Sequence, residues 1–117
     1  MIQFLFLKDI LSIQVNINCW NNTDEVVQWM LQQGSDLSYG SYFDKWTEFQ
    51  EKAYQLFTKA NKNQQIPGIL WTSHLTEKGR ADKYLNKDKY IIQLWNSNVS
   101  DPNIASILEK NFRVIFV

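Results

Sequence analysis

Apolar and polar positions change their period several times along the chain, and these changes predict strands separated by helices. Three short apolar runs with little alternation are typical of strands buried on both faces, at Gly68–Trp71, Tyr90–Trp95 and Arg113–Val117. A fourth strand is predicted within Ile13–Ile17, where apolar and polar residues alternate.

The residues between these runs show helical periodicity. Thr23 precedes Asp24 as a helix cap, and Gly34 is the predicted stop of that helix. Its predicted apolar face consists of Val26, Val27, Met30 and Leu31. A long helix is predicted over Tyr42–Ala60, because apolar residues recur there at steps of three and four. Its predicted buried stripe consists of Tyr42, Trp46, Phe49, Ala53, Leu56 and Ala60.

Two further helices are predicted in the second half of the chain. A weak one covers Thr76–Leu85 and contains Gly79. A better signalled one is capped by Ser100 or Asp101 and has Pro102 in its first turn. Its predicted inward residues are Ile104, Ile107 and Leu108.

Strands separated by helices predict parallel βαβ units and therefore an α/β fold. Four strands with their helices make about half of a (β/α)₈ TIM barrel, which takes about 250 residues. We therefore expect residues 1–117 to form a single, partial barrel segment. A small flavodoxin-like sheet with a regulatory role is the alternative.

Charge and cysteine content limit the classes of partner and site that are expected. Twelve basic and twelve acidic residues cancel, which gives no reason to expect nucleic acid or an anionic membrane as a partner, and no apolar run is long enough to span a bilayer. Cys19 is the only cysteine, so we expect no intrachain disulfide, metal centre or cofactor. Asn21 and Asn98 each begin a triplet that matches the N-glycosylation pattern.

Aromatic residues are abundant: the chain has five Trp, five Tyr and seven Phe. Trp71 and Trp95 end two predicted strands, at the edge where α/β folds bind ligands. They could form a wall for a sugar ring, or they could cap the core. His74 follows Trp71 but has no partner at a catalytic spacing, so a solvent-exposed or hydrogen-bonding role is expected. Core packing is predicted for Trp20, Trp29 and Trp46.

Four segments resemble glycoside hydrolase family 20, most closely the insect-type β-N-acetylhexosaminidases that cut chitooligosaccharides or trim N-glycans. The matching segments are Val15–Asn21, Pro67–Thr76, Lys83–Trp95 and Ile107–Val117. The resemblance covers residues 15–117, excludes residues 1–14, and corresponds to the middle-to-late part of the family's catalytic barrel. It implies that Trp71 and Trp95 line the pocket for a terminal N-acetylglucosamine.

The resemblance also implies that the catalytic acids of the family are missing. Its signature is His-x-Gly-Gly-Asp-Glu-Val, in which the glutamate is the general acid and the aspartate orients the acetamido group that attacks its own anomeric carbon. In this chain Asp9 falls at the histidine, Leu11 and Ser12 at the glycines, Ile13 at the aspartate and Gln14 at the glutamate. The family resemblance begins abruptly at Val15, which favours a gene-model or splice boundary, or an eroded duplicate.

Two functional hypotheses follow. The chain is a fragment of a β-N-acetylhexosaminidase, catalytically inactive alone because it has no catalytic residues of its own. Alternatively, it is a noncatalytic remnant that binds oligosaccharides containing N-acetylglucosamine. The resemblance further implies a lysosomal or secretory origin and, as in many family members, a homodimer.

Overall fold

A parallel sheet of three strands forms the centre of the computed structural model, which describes residues 16–95, 98 and 100–116. The strands are β1 (Gly68–Trp71), β2 (Tyr90–Gln93) and β3 (Arg113–Ile115). They pair in the order β1-β2-β3, and both pairings are parallel. The predicted α/β class is therefore confirmed.

Helices precede or connect the strands. They are α1 (Ile17–Asn21), α2 (Asp24–Gln32), α3 (Tyr39–Ala60), α4 (Ala81–Tyr84) and α5 (Pro102–Glu109), and a 3₁₀ turn covers His74–Thr76. Helix α3 ends shortly before β1 begins, so its carboxyl end lies near the start of the sheet. Its amino end, at Tyr39, therefore lies toward the carboxyl ends of the strands.

The core lies between the sheet and the helices. In β1 and β2, buried and half-buried positions alternate, so that one face of the sheet is fully covered and the other is partly covered. Leu70 and Ile92 are neighbours on the covered face. Ile104 and Ile107 of α5 are buried in the same core, as predicted.

Capping residues explain where two helices begin and end. The Asp101 carboxylate accepts a hydrogen bond of 2.8 Å from the Asn103 backbone N–H, which fixes the first turn of α5 as the sequence predicts. Gly34 has φ +72° and ends α2 in a Schellman motif. In that motif, its N–H donates to Leu31 and the Ser35 N–H donates to Met30.

The long helix differs from its prediction in two respects. It begins at Tyr39, three residues before the predicted start, because the Ser38 hydroxyl accepts from the Ser41 N–H and caps it. Its buried line is also rotated relative to the predicted stripe. Phe49 and Leu56 are 59% and 68% exposed, and Ala60 is exposed as well. The fully buried residues of α3 are Tyr42, Phe43, Gln50 and Tyr54.

Local hydrogen bonds overturn the prediction at two more places. Ile17, predicted to end a strand, begins α1, because the Asn16 side chain caps that helix. Residues 13–15 of this predicted strand lie outside the described residues. Gly79, predicted inside a helix, adopts φ +80° and separates the 3₁₀ turn from α4.

Three further apolar side chains predicted to be buried are about half exposed. They are Trp29, Leu31 and Leu108. Each lies at the edge of the apolar face of its helix. The period of 3.6 residues locates that face, but it does not show which residues at the edge are covered by the core.

Candidate functional site

Trp71 and Trp95 lie at the same edge of the sheet. Trp71 is the last residue of β1, and Trp95 follows the end of β2 by two residues. Trp71 is in register with Gln93, and the two strands are parallel. Both indoles therefore project from the carboxyl edge, where parallel α/β folds bind their ligands.

The two indoles form a stacked pair. Their ring centroids are 4.5 Å apart, and the ring planes are inclined by 25°. Trp71 is half-buried, whereas Trp95 is 65% exposed. Because the facing surfaces cover each other, a ligand ring can pack only on an outer surface of the pair, and the exposed Trp95 provides the larger one.

Backbone hydrogen bonds fix the segment that carries Trp95. The Thr72 N–H donates to the Gln93 carbonyl at 3.0 Å, and the Trp95 N–H donates to the Thr72 hydroxyl at 3.4 Å. The Leu94 N–H donates to the Ile115 carbonyl at 3.0 Å. The position of Trp95 thus depends on both neighbouring strands.

A cleft of about 530 Å³ lies beside the loop that follows β1. It is lined by Asn16, Ile17, Asn18, Tyr39, Phe43, His74, Glu77 and Arg80. No catalytic or metal-binding motif in the sequence includes these residues, and His74 alone among them is a functional candidate from the sequence. Their proximity results from the fold, which places the first turns of α1 and α3 beside the β1 loop.

Arg80 connects two walls of this cleft. Its guanidinium lies 4.6 Å from the ring centroid of Phe43 in α3. Its Nη1 donates to the Glu77 carboxylate at 2.6 Å and to the His74 carbonyl at 3.2 Å. This contact uses the backbone carbonyl of His74, so the role expected for its side chain stays a prediction.

The remaining predicted residues make contacts of their own or lie outside the described residues. Asn21 ends α1, and its Oδ1 accepts a hydrogen bond of 3.1 Å from the Tyr42 hydroxyl. Asn98 is exposed, and its side chain accepts from the Ser100 N–H at 3.1 Å. Ile13 and Gln14, which the resemblance places at the family's acids, lie outside the described residues.

Trp20 and Trp46 pack as predicted, and they also contact each other. Both lie against the core, and their ring centroids are 5.8 Å apart. Within residues 16–95, 98 and 100–116, no cluster of three or more His, Cys, Asp or Glu side chains is arranged to hold a metal ion. No helix in this part of the chain has the length and hydropathy needed to cross a membrane.

A parallel α/β segment with paired indoles at the carboxyl edge of its sheet is typical of a ligand-binding α/β domain, and sequence comparison identifies which one. The profile of the glycosyl hydrolase family 20 catalytic domain matches residues 14–117. The chain therefore belongs to glycosyl hydrolase family 20.

Two relatives are chitooligosaccharidolytic beta-N-acetylglucosaminidases. The one from Ostrinia furnacalis is 44% identical over 102 residues, and the one from Bombyx mori is 38% identical over 106 residues. Each match covers 87% of this chain but 17% of the relative. The family resemblance seen in the sequence is thus confirmed, and the chain spans about a sixth of the length of these relatives.

Proposed function

We propose that this chain is part of the catalytic domain of a β-N-acetylglucosaminidase and contributes the indole pair that binds a terminal N-acetylhexosamine of a chitooligosaccharide or N-glycan. Membership of family 20 and the names of the two relatives support this substrate class. The observation that carries the proposal is the stacking of Trp71 and Trp95 at the carboxyl edge of the sheet.

The exposed surface of Trp95 suits a pyranose ring. One face of such a ring presents C–H groups, which pack on the electron-rich face of an indole. Trp71 supports Trp95 from behind and limits its rotation, because the two rings are only 4.5 Å apart. We therefore assign direct sugar contact mainly to Trp95 and support of its orientation mainly to Trp71.

The sheet topology supports a partial (β/α)₈ barrel for this segment. Strands that follow one another in sequence are neighbours in space, in the order β1-β2-β3. A barrel requires this sequential order. One half of a doubly wound sheet has it too, so the choice of a barrel rests on the family. In the complete domain, further βα units would continue the sheet beyond both of its edges.

The chain alone is proposed to lack turnover. When the sequence is anchored on Val15, Cys19 and Trp20, Ile13 and Gln14 fall at the aspartate and the glutamate of the family signature. Gln14 cannot donate a proton as an acid, and the loss of a general acid costs about 10²–10⁴-fold in rate. A noncatalytic sugar-binding protein is the second candidate, and the exposed stacked pair is the observation that favours it.

A pair of measurements on the purified chain tests these statements. No release from a chromogenic N-acetylglucosaminide is expected, with the Bombyx mori enzyme as the positive control; turnover by the chain would contradict the assignment of Ile13 and Gln14. Titration with chitobiose should quench or shift tryptophan fluorescence. This response should disappear in Trp95→Ala and persist in Trp29→Ala, whose indole lies on α2.

If Trp95→Ala retains the full response, the sugar-binding assignment is wrong. If the chain shows no response to chitobiose, the noncatalytic candidate is excluded. The proposal of a partial catalytic domain would then depend on the family assignment alone.

A further inference from the structure

Part of the apolar surface of α2 and α3 is uncovered. Trp29, Phe49 and Leu56 are 47%, 59% and 68% exposed, although the sequence predicts all three in buried positions. Trp29 and Phe49 also line a cavity of about 290 Å³, in which Lys45 is the only charged residue. We name the exposed side chains of Trp29, Phe49 and Leu56, together with the half-buried Trp46 between them, the α2–α3 surface.

The contacts of α3 show which way this surface faces. The Glu51 carboxylate accepts hydrogen bonds from the Lys89 ammonium and the Tyr90 hydroxyl, and Tyr90 belongs to β2. The Tyr54 ring lies 5.6 Å from the Tyr90 ring. Phe49 is two residues before Glu51, and two residues correspond to about 200° around a helix. Leu56 has the same relation to Tyr54, so both exposed side chains point away from β2.

The α2–α3 surface therefore lies on the side of the unpaired edge of β1. One edge of β1 pairs with β2, and within the described part of the chain the other edge has no partner strand. In parallel α/β sheets, consecutive strands are connected by helices that lie on the faces of the sheet. A strand added at the free edge of β1 would thus bring its helix next to α3.

The spacing of the exposed residues on α3 suits another helix. Apolar residues recur along it at steps of three and four: Trp46, Phe49, Ala53 and Leu56. Such rows form the ridges that pack into the grooves of a neighbouring helix. The rings of Trp46 and Phe49 are stacked with centroids 6.0 Å apart, which makes the ridge continuous. Glu48 forms ion pairs with Lys45 and Lys52 on the solvent side of the ridge.

The size of the surface favours a helix of the same domain over a second copy of the chain. Its three exposed side chains present on the order of 300 Å². A stable complex of separate chains buries about 800 Å² on each partner. A helix within the same domain does not lose translational freedom on packing, so a smaller area is sufficient.

We propose that the α2–α3 surface is the docking site for an amphipathic helix of the preceding βα unit in the same catalytic domain. The inference rests on the part of the proposed function that makes this chain a part of that domain. The chain spans about a sixth of its relatives, whose remaining length can supply such a unit. The apolar face of the docked helix packs on Phe49 and Leu56, and its polar face continues the charged rim of α3.

Cysteine labelling in a complete domain tests the proposal. A chimera of the Bombyx mori relative, with residues 16–117 in place of its matching region, supplies the preceding βα unit. A maleimide should modify Leu56→Cys at least about tenfold more slowly in the chimera than in the purified chain. Gln55→Cys is the matched control: Gln55 is exposed and lies about 100° around the helix, so its rate should be the same in both proteins. Peptide mass spectrometry reads each site separately from Cys19.

A charge on the surface gives a second measurement. Phe49→Lys should lower the melting temperature of the chimera by about 5 °C or more, because the docked helix would bury the ammonium group. Gln55→Lys should leave the melting temperature unchanged in the chimera and in the purified chain.

Each other outcome contradicts the proposal. Equal labelling rates of Leu56→Cys in the chimera and the chain would show that no helix covers the surface. Protection that appears in the purified chain and increases with its concentration would show that a second copy covers it. A chimera that does not fold would show that the surface does not fit the rest of the domain. None of these measurements requires a sugar, so failure of chitobiose binding at Trp95 would leave the docking result intact.

Discussion

The indole of Trp95 covers one face of the Trp71 indole, although 23 residues separate them in the chain. Parallel pairing of β1 with β2 brings these two positions to the same edge, and the Thr72 hydroxyl accepts a hydrogen bond from the Trp95 backbone. The proposed sugar site is thus produced by sheet register together with one loop contact.

Stacking of the two indoles predicts a spectroscopic signature. Closely stacked indoles couple their electronic transitions, which should produce a paired positive and negative band in circular dichroism. Trp71→Ala or Trp95→Ala should remove the same component, because each removes one member of the pair. Trp29→Ala should leave that component intact, and its survival in Trp95→Ala would contradict the stacked geometry.

Tyr90 predicts a loss of stability at alkaline pH. The pKa of Tyr90 is raised well above its usual value, mainly because its phenol is buried. The Glu51 carboxylate raises it further, since Glu51 Oε1 lies 3.3 Å from the Tyr90 hydroxyl oxygen. The folded state therefore favours the neutral phenol. Its contribution to the free energy of unfolding is complete below the unfolded pKa of about 10 and is lost as the pH rises above that value.

Urea unfolding of the wild type and Tyr90→Phe checks this dependence. The variant should lose the part of the alkaline destabilisation that comes from Tyr90, and at neutral pH it should lose about 0.5–1.5 kcal/mol with the hydrogen bond to Glu51. Tyr39→Phe removes a hydroxyl from an exposed side chain and serves as the control. An unchanged alkaline slope in Tyr90→Phe would contradict this account.

Asp36 predicts an acid-dependent contribution at the start of α3. Hydrogen bonds from the Ser38 hydroxyl, the Ser41 hydroxyl and the Ser38 N–H lower the pKa of Asp36 to about 2. Its contribution to stability should be present above the unfolded pKa of about 4 and disappear as pH falls through about 2. NMR titration of the carboxyl carbon should give a midpoint near 2.

Asp36→Asn should remove this acid-dependent part of the stability. The difference in unfolding free energy between wild type and variant should therefore shrink as the pH is lowered. A constant difference across the acid range would show that the carboxylate charge is not involved.

Substitution by alanine is expected to have opposite effects on stability at two glycines. Gly34 has φ +72°, so Gly34→Ala should cost about 1–2 kcal/mol even though nothing lies within 4 Å of the new Cβ. Gly40 is helical, and its Cβ would meet the Tyr84 hydroxyl at an ordinary 3.8 Å. Gly40→Ala should be neutral or stabilising by up to about 1 kcal/mol. Thermal unfolding measures both, and equal effects would contradict the assigned backbone conformation.

The sequence predicted the strands and helix caps better than it predicted which helix faces are buried. β1 was predicted with its observed bounds, and Asp101 and Gly34 act at the predicted helix ends. These features depend on local chemistry: a short apolar run, a carboxylate beside a helix start, and a residue that tolerates positive φ. Such signals are complete within a few neighbouring residues.

The buried face of α3 could not be chosen from periodicity alone. Aromatic residues occupy several lines along this helix, so more than one stripe fits a helical period. Packing selects Phe43 and Tyr54, buries Gln50 and leaves Phe49 exposed. The cleft could not be predicted from the sequence either, because Tyr39 is far from Glu77 and Arg80 in the sequence and comes together with them only in the folded chain.

The proposed sugar-binding surface consists of Trp71 and Trp95, and NMR observation of the indole N–H groups is its sharpest test. The five tryptophans give five indole signals that can be assigned by single substitutions. Titration with chitobiose should shift the signals of Trp71 and Trp95 in a saturable manner and leave those of Trp20, Trp29 and Trp46 in place. Cellobiose, which lacks the acetamido groups, serves as the control ligand. No shift at Trp95, or equal shifts of all five signals, would contradict the account.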